Sequence, residues 1–343
     1  MIEMKHLPLG KLPMNTLKKC VLSHVIVDSS VLLPPRVGED GTVLKLSDNL
    51  IIAAADPITG ATEKAGWLSV HVNANDVAVH AAYPRWFLVT ILLPEGANEP
   101  LIEDIMNGIL KALREVDACL VGGHTEVTSR VVEPVIVGTM IGEPMIKGTY
   151  ITSGGAEPGD AIILTKGAGI EGTLILATDF KERLQKEVGE DVLNRALMYE
   201  RMISVLPDVK QIIKVGIENV TSMHDATEGG VLGAVYELAE ASGRGFLIYE
   251  DKVIINPETR RICEVLKVDP LKLISSGSLI ATVKKNKAKE AIALLRAAGI
   301  RAAVIGKILE RPSERILVRR NGEEVSLKEP PLDELWRLYE TNE

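Results

Sequence analysis

Four stretches of this 343-residue chain put carboxylates where an apolar element ends or is interrupted, and those are the places to look for chemistry. GEDGTVL, residues 38–44, holds Asp40 between small residues. NLIIAAAD, residues 49–56, is an apolar run that closes on Asp56. NAND, residues 73–76, sets Asn75 and Asp76 inside a segment otherwise apolar enough to be buried. MHDATEGG, residues 223–230, places Asp225 and Glu228 ahead of a Gly-Gly pair. A buried carboxylate is costly unless it is paired or bound to a metal. Several aspartates around a common point suit Mg²⁺, which takes oxygen ligands and shares itself with substrate phosphates. Each site also has a plainer reading. An aspartate at a strand end commonly makes a turn or caps a helix, and Thr227 rivals Asp225 as a cap. The four together, beside glycine-rich turns, favour the metal reading.

A fifth stretch, VGGHTEVT at residues 121–128, reads as a strand end running into a tight turn. His124 and Glu126 at i, i+2 suit a metal pair, an acid/base pair, a phosphate-binding turn or an ordinary polar loop. Zinc needs three or four ligands, and His6, His24, His71, His80 and His224 show no HxH or HxxxH pairing. No GxSxG elbow exists for a serine hydrolase. Cys119 falls in an apolar strand and Cys263 in an amphipathic helix, so both are expected to be buried, inert thiols. KGAGIEG, residues 166–172, contains GxGxxG, but no second strand ending in an acid follows ~20 residues on, as a dinucleotide fold requires. A tight strand-to-helix turn is the better reading.

The elements that must hold these residues alternate between strand and helix. WFLVTILLPEG (86–96) and VVEPVIVGTMIGE (131–143) read as strands, and residues 64–83 as a helix buried on most sides. From Ile102 to Val116 the apolar positions fall at i, i+3, i+4, i+7, i+8, i+11 and i+14, one stripe of a helix. The second half repeats the style, with a helix over 229–242 stopped by Gly243. The expected fold class is α/β (α+β), two mixed domains divided near residue 150: 1–150 and 151–343. A net charge of −8 and 3% aromatics argue against a nucleic-acid partner, which needs basic surface and stacking platforms. Three distant cysteines make no disulfide framework, and no stretch nears ~18 apolar residues. With no apolar signal core among the first residues, a cytoplasmic protein is expected.

In order, these stretches resemble the aminoimidazole ribonucleotide (AIR) synthase superfamily over most of the chain. GEDGTVL is similar to its GDDAAV element, AAADPITG stands at its TTD, NANDVAVHAAYP is similar to NDLAxMGAxP, and VGGHT matches GGHT or GGDT. HDATEGGVLGAVYELAEASG and CEVLKVDPLKLISSGSLIATV are similar to the longer, more specific motifs of the hydrogenase-maturation (HypE) branch. The resemblance implies a dimer whose N-terminal halves pair into a β-barrel, with ATP and Mg²⁺ in a cleft there. Asp40, Asp56, Asp76 and Asp225 would hold Mg²⁺ or face the phosphates. Gly122, Gly123, His124 and Glu126 would form the nucleotide-binding turn, with Asn75 beside it and Lys11 closing over the phosphates. Asp76, His124 and Asp225 would carry catalysis on a small-molecule or protein-borne substrate. The branch also carries its reacting group on a cysteine in a C-terminal PRIC tail, whereas this sequence ends RLYETNE. That departure raises the alternative of a non-catalytic, nucleotide-binding scaffold in metallocentre maturation.

Overall fold

The computed structural model describes residues 11–59 and 64–341. His6 and the end of the PITG segment lie outside the described residues. A short helix α1 (Met14–Cys20) leads into β1 (Val31–Leu33), β2 (Thr42–Leu46) and β3 (Asn49–Ile58). Then come α2 (Ala65–Val79), β4 (Ala82–Leu93), α3 (Glu99–Val116), β5 (Cys119–Val127) and β6 (Val135–Pro144). These strands form one six-stranded sheet in the order β1-β2-β3-β6-β4-β5. All its pairings are antiparallel except β4 with β5.

The second half holds β7 (Ala161–Thr165), α4 (Ile170–Asp179), α5 (Lys181–Glu187), α6 (Glu190–Leu197), α7 (Leu206–Ile212) and β8 (Val220–Asp225). It continues with α8 (Gly230–Ser242), β9 (Gly245–Tyr249), α9 (Pro257–Leu266), β10 (Leu279–Val283) and α10 (Ala288–Ala297). It closes with β11 (Ala302–Leu309), β12 (Arg315–Val318), β13 (Glu324–Ser326) and α11 (Glu334–Thr341). Its seven strands run in the order β13-β12-β9-β11-β7-β10-β8. The fold is mixed α/β in both halves, with each sheet confined to one half. The first sheet remains open: strand β5 is an edge, not part of a closed barrel.

Helix α2 explains much of the architecture. Every residue from Ala65 to Val79 is buried. It is covered by the first sheet, by α3, and by β8 and α7 of the second half. A helix buried on every face is enclosed on all sides, so α2 is the shared core of the two halves. Helix α3 is the ordinary surface case. Ile105, Ile109, Leu113 and Val116 are buried, Asn98 caps it by accepting the Leu101 N–H at 3.1 Å, and Asp117 ends it in a left-handed conformation. The stripe read from the sequence holds these four buried positions, while Leu110 at its edge is exposed.

Two side chains staple the halves, and a third, within the second half, holds the segment that one of them grips. Asn75 on α2 donates to the Ile203 carbonyl at 2.9 Å and accepts the Val205 N–H at 2.9 Å. His80, just after α2, donates to the Ile151 carbonyl at 2.7 Å. Lys166 donates to the carbonyls of Met202, Ser204 and Gly277 at 2.9, 2.7 and 2.6 Å and pairs with buried Asp208 at 2.9 Å. The 202–205 segment is therefore gripped from both halves.

Two expectations need correction. VGGHTEVT is not a turn: β5 runs straight through it, paired to β4 from Trp86↔Cys119 to Leu93↔Val127 with one bulge at Phe87/Leu88. The bulge absorbs the extra residue that the glycine pair suggested was a turn. Cys119 is exposed, because β5 is an edge strand with no layer over it, while Cys263 is buried. The GxGxxG segment follows β7, whose neighbours β10 and β11 are both antiparallel to it. That excludes a βαβ dinucleotide unit. Gly172 is there because a Cβ would lie 2.3 Å from Leu273. Among the described residues no helix is long and apolar enough to cross a membrane.

Candidate active site

The four aspartates arrive from four elements. GEDG (38–41) is pressed into place on three sides. A Cβ on Gly38 would sit 2.3 Å from the Glu237 carbonyl of α8, and one on Gly41 would sit 3.1 Å from His80 Nε2. Glu39 accepts the N–H groups of Ser153 and Gly154, each at 3.1 Å. What remains of the loop is Asp40, whose Oδ2 lies 3.2 Å from His224 Nδ1. His224 and Asp225 are the last two residues of β8, fully buried, and bring the second half to the same point.

NAND turns out to be three polar residues with three tasks. Asn73 accepts the Asp56 N–H at 2.8 Å and donates to the Asp56 carbonyl at 3.2 Å, which fixes β3 against α2. Asn75 spends both ends of its amide on the 203–205 backbone, so it joins domains instead of presenting itself to a ligand. Asp76 is 3% exposed, and its neighbours in charge are Asp56, Asp225 and Asp40.

Two participants escaped the sequence reading. His224 donates from Nδ1 to the Asp225 carbonyl at 2.7 Å, and its Nε2 lies 3.2 Å from Glu237 Oε2. Glu237 projects from α8, and Lys11 Nζ meets its carboxylate at 3.3 Å and Thr227 Oγ1 at 3.1 Å. The Lys11 backbone N–H reaches Glu228 at 2.9 Å. A clue was available: Glu237 is a charge midway along the otherwise apolar GGVLGAVYELA.

Charge follows burial. Desolvation pushes the carboxyls of Asp40 and Asp76 well above the usual carboxylate range. His224 pulls Asp40 back while Asp225 and Glu237 push it further; Asp56, Asp225 and Asp40 add to the rise at Asp76. Burial also raises Asp56, and lifts Asp225 to about 6 against the pull of His224 and Lys11. For His224 burial works against the imidazolium, yet Asp40 and Glu237 prevail and raise it to about 9. Glu237 goes the other way: burial opposes its ionisation, but Lys11 and His224 hold it at about 2.

Asp40 Oδ2 and both carboxylate oxygens of Asp225 are buried without a hydrogen-bond partner. Such oxygens are strongly penalised unless a cation or proton compensates them. Asp40, His224 and Asp225 can bring one ligand atom each within 4.8 Å of one another, the one such group among the described residues. The imidazole Nδ1 is already turned to a backbone carbonyl, which leaves carboxylate oxygens as the free donors. A set of hard oxygens fits Mg²⁺ better than zinc.

His124 and Glu126 stand elsewhere. They are 63% and 49% exposed and hydrogen-bonded to each other at 3.0 Å. The registers Asp56↔Gly138, Gly138↔Val89 and Val89↔Gly123 place Asp56 and Gly123 in one row, three strand spacings or about 14 Å apart. Asp56 shares parity with buried Ile52, Ala54 and Ile58, toward α2. His124 and Glu126 pair with Thr90 and Leu92, on the open face with half-exposed Trp86 and Leu88. The aspartates are thus brought together, and the His–Glu pair is not brought to them. No third ligand for a metal joins His124 and Glu126 among the described residues.

Family models for the AIR synthase related proteins match residues 38–143 as the N-terminal domain and 157–319 as the C-terminal domain. The chain belongs to this family. It is 28% identical to a putative hydrogenase expression/formation protein of Methanocaldococcus jannaschii, over 87% of this chain and 88% of that protein. It is also 28% identical to the carbamoyl dehydratase HypE of Escherichia coli (strain K12), over 83% of this chain and 81% of that one. A hydrogenase maturation protein HypE solved in complex with ATP has the same fold, with a TM-score of 0.71 at 24% identity over 94% of this chain and 96% of that chain.

Proposed function

We propose that this chain is an ATP- and Mg²⁺-dependent phosphoryl-transfer enzyme of the HypE type, which activates an oxygen of its substrate by phosphorylating it. One observation carries the reading: Asp40 and Asp225 bring together buried carboxylate oxygens that accept no hydrogen bond, Asp40 Oδ2 facing only the His224 imidazole, with Asp56 and Asp76 close enough to repel them. Phosphoryl transfer needs charge neutralisation and positioning more than a protein nucleophile, and none of the described groups around the aspartates is a cysteine or an activated serine.

In this reading Asp40 and Asp225 supply ligand oxygens to Mg²⁺, and Asp56 and Asp76 line the same space. The ion's chemistry when bound is neutralisation of phosphoryl charge. His224, clamped between Asp40 and Glu237, holds Asp40 toward the site. Lys11, its side chain half exposed, exchanges Glu237 for phosphate. The E. coli relative is named for dehydrating a carbamoyl group, and losing an amide oxygen requires turning it into a leaving group, which phosphorylation does. An amide-type oxygen on a small-molecule or protein-borne substrate is therefore the acceptor we favour over a carbonyl or phosphate oxygen. ATP bound to the solved HypE supports the nucleotide only through the shared fold; the acid cluster is the stronger support.

A second copy of the chain completes this reading. The open face of the first sheet exposes Tyr83, Trp86 and Leu88, and edge strand β5 beside it exposes Leu120, Val121 and Val127, apolar surface of the kind that marks an interface. A homodimer through this face would bring Gly122, Gly123, His124 and Glu126 to the rim of a shared cleft, where His124 and Glu126 contact nucleotide, not metal. Phosphorus NMR of ATP with Mg²⁺ and candidate amide acceptors tests the function. ADP and phosphate should appear with Mg²⁺ and vanish in Asp76→Asn; unaltered ATP with every acceptor, together with no ATP binding by calorimetry, overturns it.

A further inference from the structure

A second concave region lies on the far side of the 202–206 segment, between the first turns of α2, the last turns of α3 and the start of α5. It is a cavity of about 930 Å³, in the range of small-molecule sites. Its floor is Trp67 and His71, nine and five residues before Asp76 on α2, so Trp67 is about 13 Å along the helix axis from the acid cluster.

The lining carries an excess of positive charge in an acidic protein: five cationic side chains against two glutamates. Both glutamates are committed. Glu200 takes Lys64 at 2.5 Å and Lys111 at 2.6 Å. Glu115 accepts the Trp67 indole N–H at 2.9 Å and His71 Nε2 at 2.8 Å. Lys181 and Arg201, both exposed at the mouth, have no hydrogen bond or ion pair with any described residue. Lys210 has only the Tyr83 ring beneath it, at 5.2 Å. Three cations therefore converge on one cleft without a carboxylate to neutralise them.

The floor beneath these cations is neutral. His71 is 3% exposed, and its Nδ1 is buried with no partner. Burial holds this imidazole below its ordinary range, with Glu115 working against that shift. With the Nε2 proton given to Glu115 and Nδ1 sealed within the floor, the imidazole is a neutral part of that floor.

We propose that this cleft is a binding site for a phosphorylated small molecule, the phosphate held by Lys181, Arg201 and Lys210 and the body of the ligand lying on the Trp67–His71 floor. It is distinct from the acid cluster and does not depend on the reading of that cluster. A phosphate ester with a sugar-like body has both features at a size the cavity holds.

Calorimetry on the full chain at low salt and without Mg²⁺ tests it, with ribose 5-phosphate as the probe and ribose and inorganic phosphate as comparisons. Ribose 5-phosphate should bind below about 1 mM, more tightly than inorganic phosphate, with ribose silent, and should weaken as salt rises. The exposed double variant Lys181→Gln/Arg201→Gln should weaken it at least about tenfold. Asp225→Asn should leave it unchanged, which separates this site from the catalytic one. No binding at about 10 mM, equal binding by ribose, or full affinity in the double variant overturns the proposal.

Discussion

The chain holds two histidine–carboxylate pairs that look alike in sequence and differ in everything else. His224 is buried between Asp40 and Glu237, its imidazole raised to about 9. His124 leans on Glu126 at 3.0 Å on an edge strand, with most of its side chain in solvent. Solvent screens the second pair, and an exposed ion pair contributes little. The first pair sits where water does not compete, so each charge constrains its neighbours. What separates the two is not residue type but the number of layers around the strand that carries them: β8 is covered by α2 and α8, and β5 by nothing on its open side.

The comparison predicts very unequal consequences of substitution. Asp225→Asn should lower ATP turnover by about 100-fold or more with no loss in Tm, since it removes a carboxylate whose charge burial penalises. His124→Gln should change turnover by less than about tenfold and act on the KM for ATP, without touching Mg²⁺ affinity. Equal losses in kcat from both variants would merge the two regions into one site.

Within β5 the glycines should also part company. A Cβ on Gly123 would lie 1.9 Å from the Val89 carbonyl oxygen, at φ +151°, whereas one on Gly122 would meet only Leu88 Cδ2 at 3.9 Å. Gly123→Ala should destabilise by about 1–3 kcal/mol and Gly122→Ala by under about 0.5 kcal/mol, read as denaturant midpoints. Asn75→Ala should follow at about 1–3 kcal/mol, because it strands the Ile203 carbonyl and the Val205 N–H, and its Mg²⁺ affinity should stay near that of the parent.

How much of this was legible varied with burial. Asp40, Asp56, Asp76 and Asp225 stood out because carboxylates interrupting apolar runs have few explanations, and the fold brings all four together. The α3 stripe was equally plain. VGGHTEVT misled because a glycine pair signals a turn as readily as a bulge in an edge strand, and nothing local says which. His224 was hidden beside Asp225, since one histidine shows no spacing. Asn75 looked like a ligand because its partners, Ile203 and Val205, lie more than a hundred residues away, and long-range pairing leaves no mark in a single sequence.

Acid should weaken metal binding selectively. Asp40, Asp76 and Asp225 have raised folded values, so the stability they allow is complete below their unfolded values near 4. It is lost as pH rises, through about 6 for Asp225. The protein without metal should therefore lose stability over that range, and Mg²⁺ should restore it more at pH 8 than at pH 5. With Asp225 largely protonated at pH 5, apparent Mg²⁺ affinity should be about tenfold weaker there; an affinity flat with pH would place the ion away from these carboxylates.

The most direct test is calorimetric titration of Mg²⁺ and ATP into the parent chain and into Asp40→Asn/Asp225→Asn, with far-ultraviolet circular dichroism to confirm that the variant is folded. ATP should bind the parent only when Mg²⁺ is present, and the folded double variant should bind neither. Unchanged Mg²⁺-ATP affinity in that variant, or loss of Mg²⁺ binding in His124→Gln instead, would contradict the assignment of the cleft to the buried aspartates.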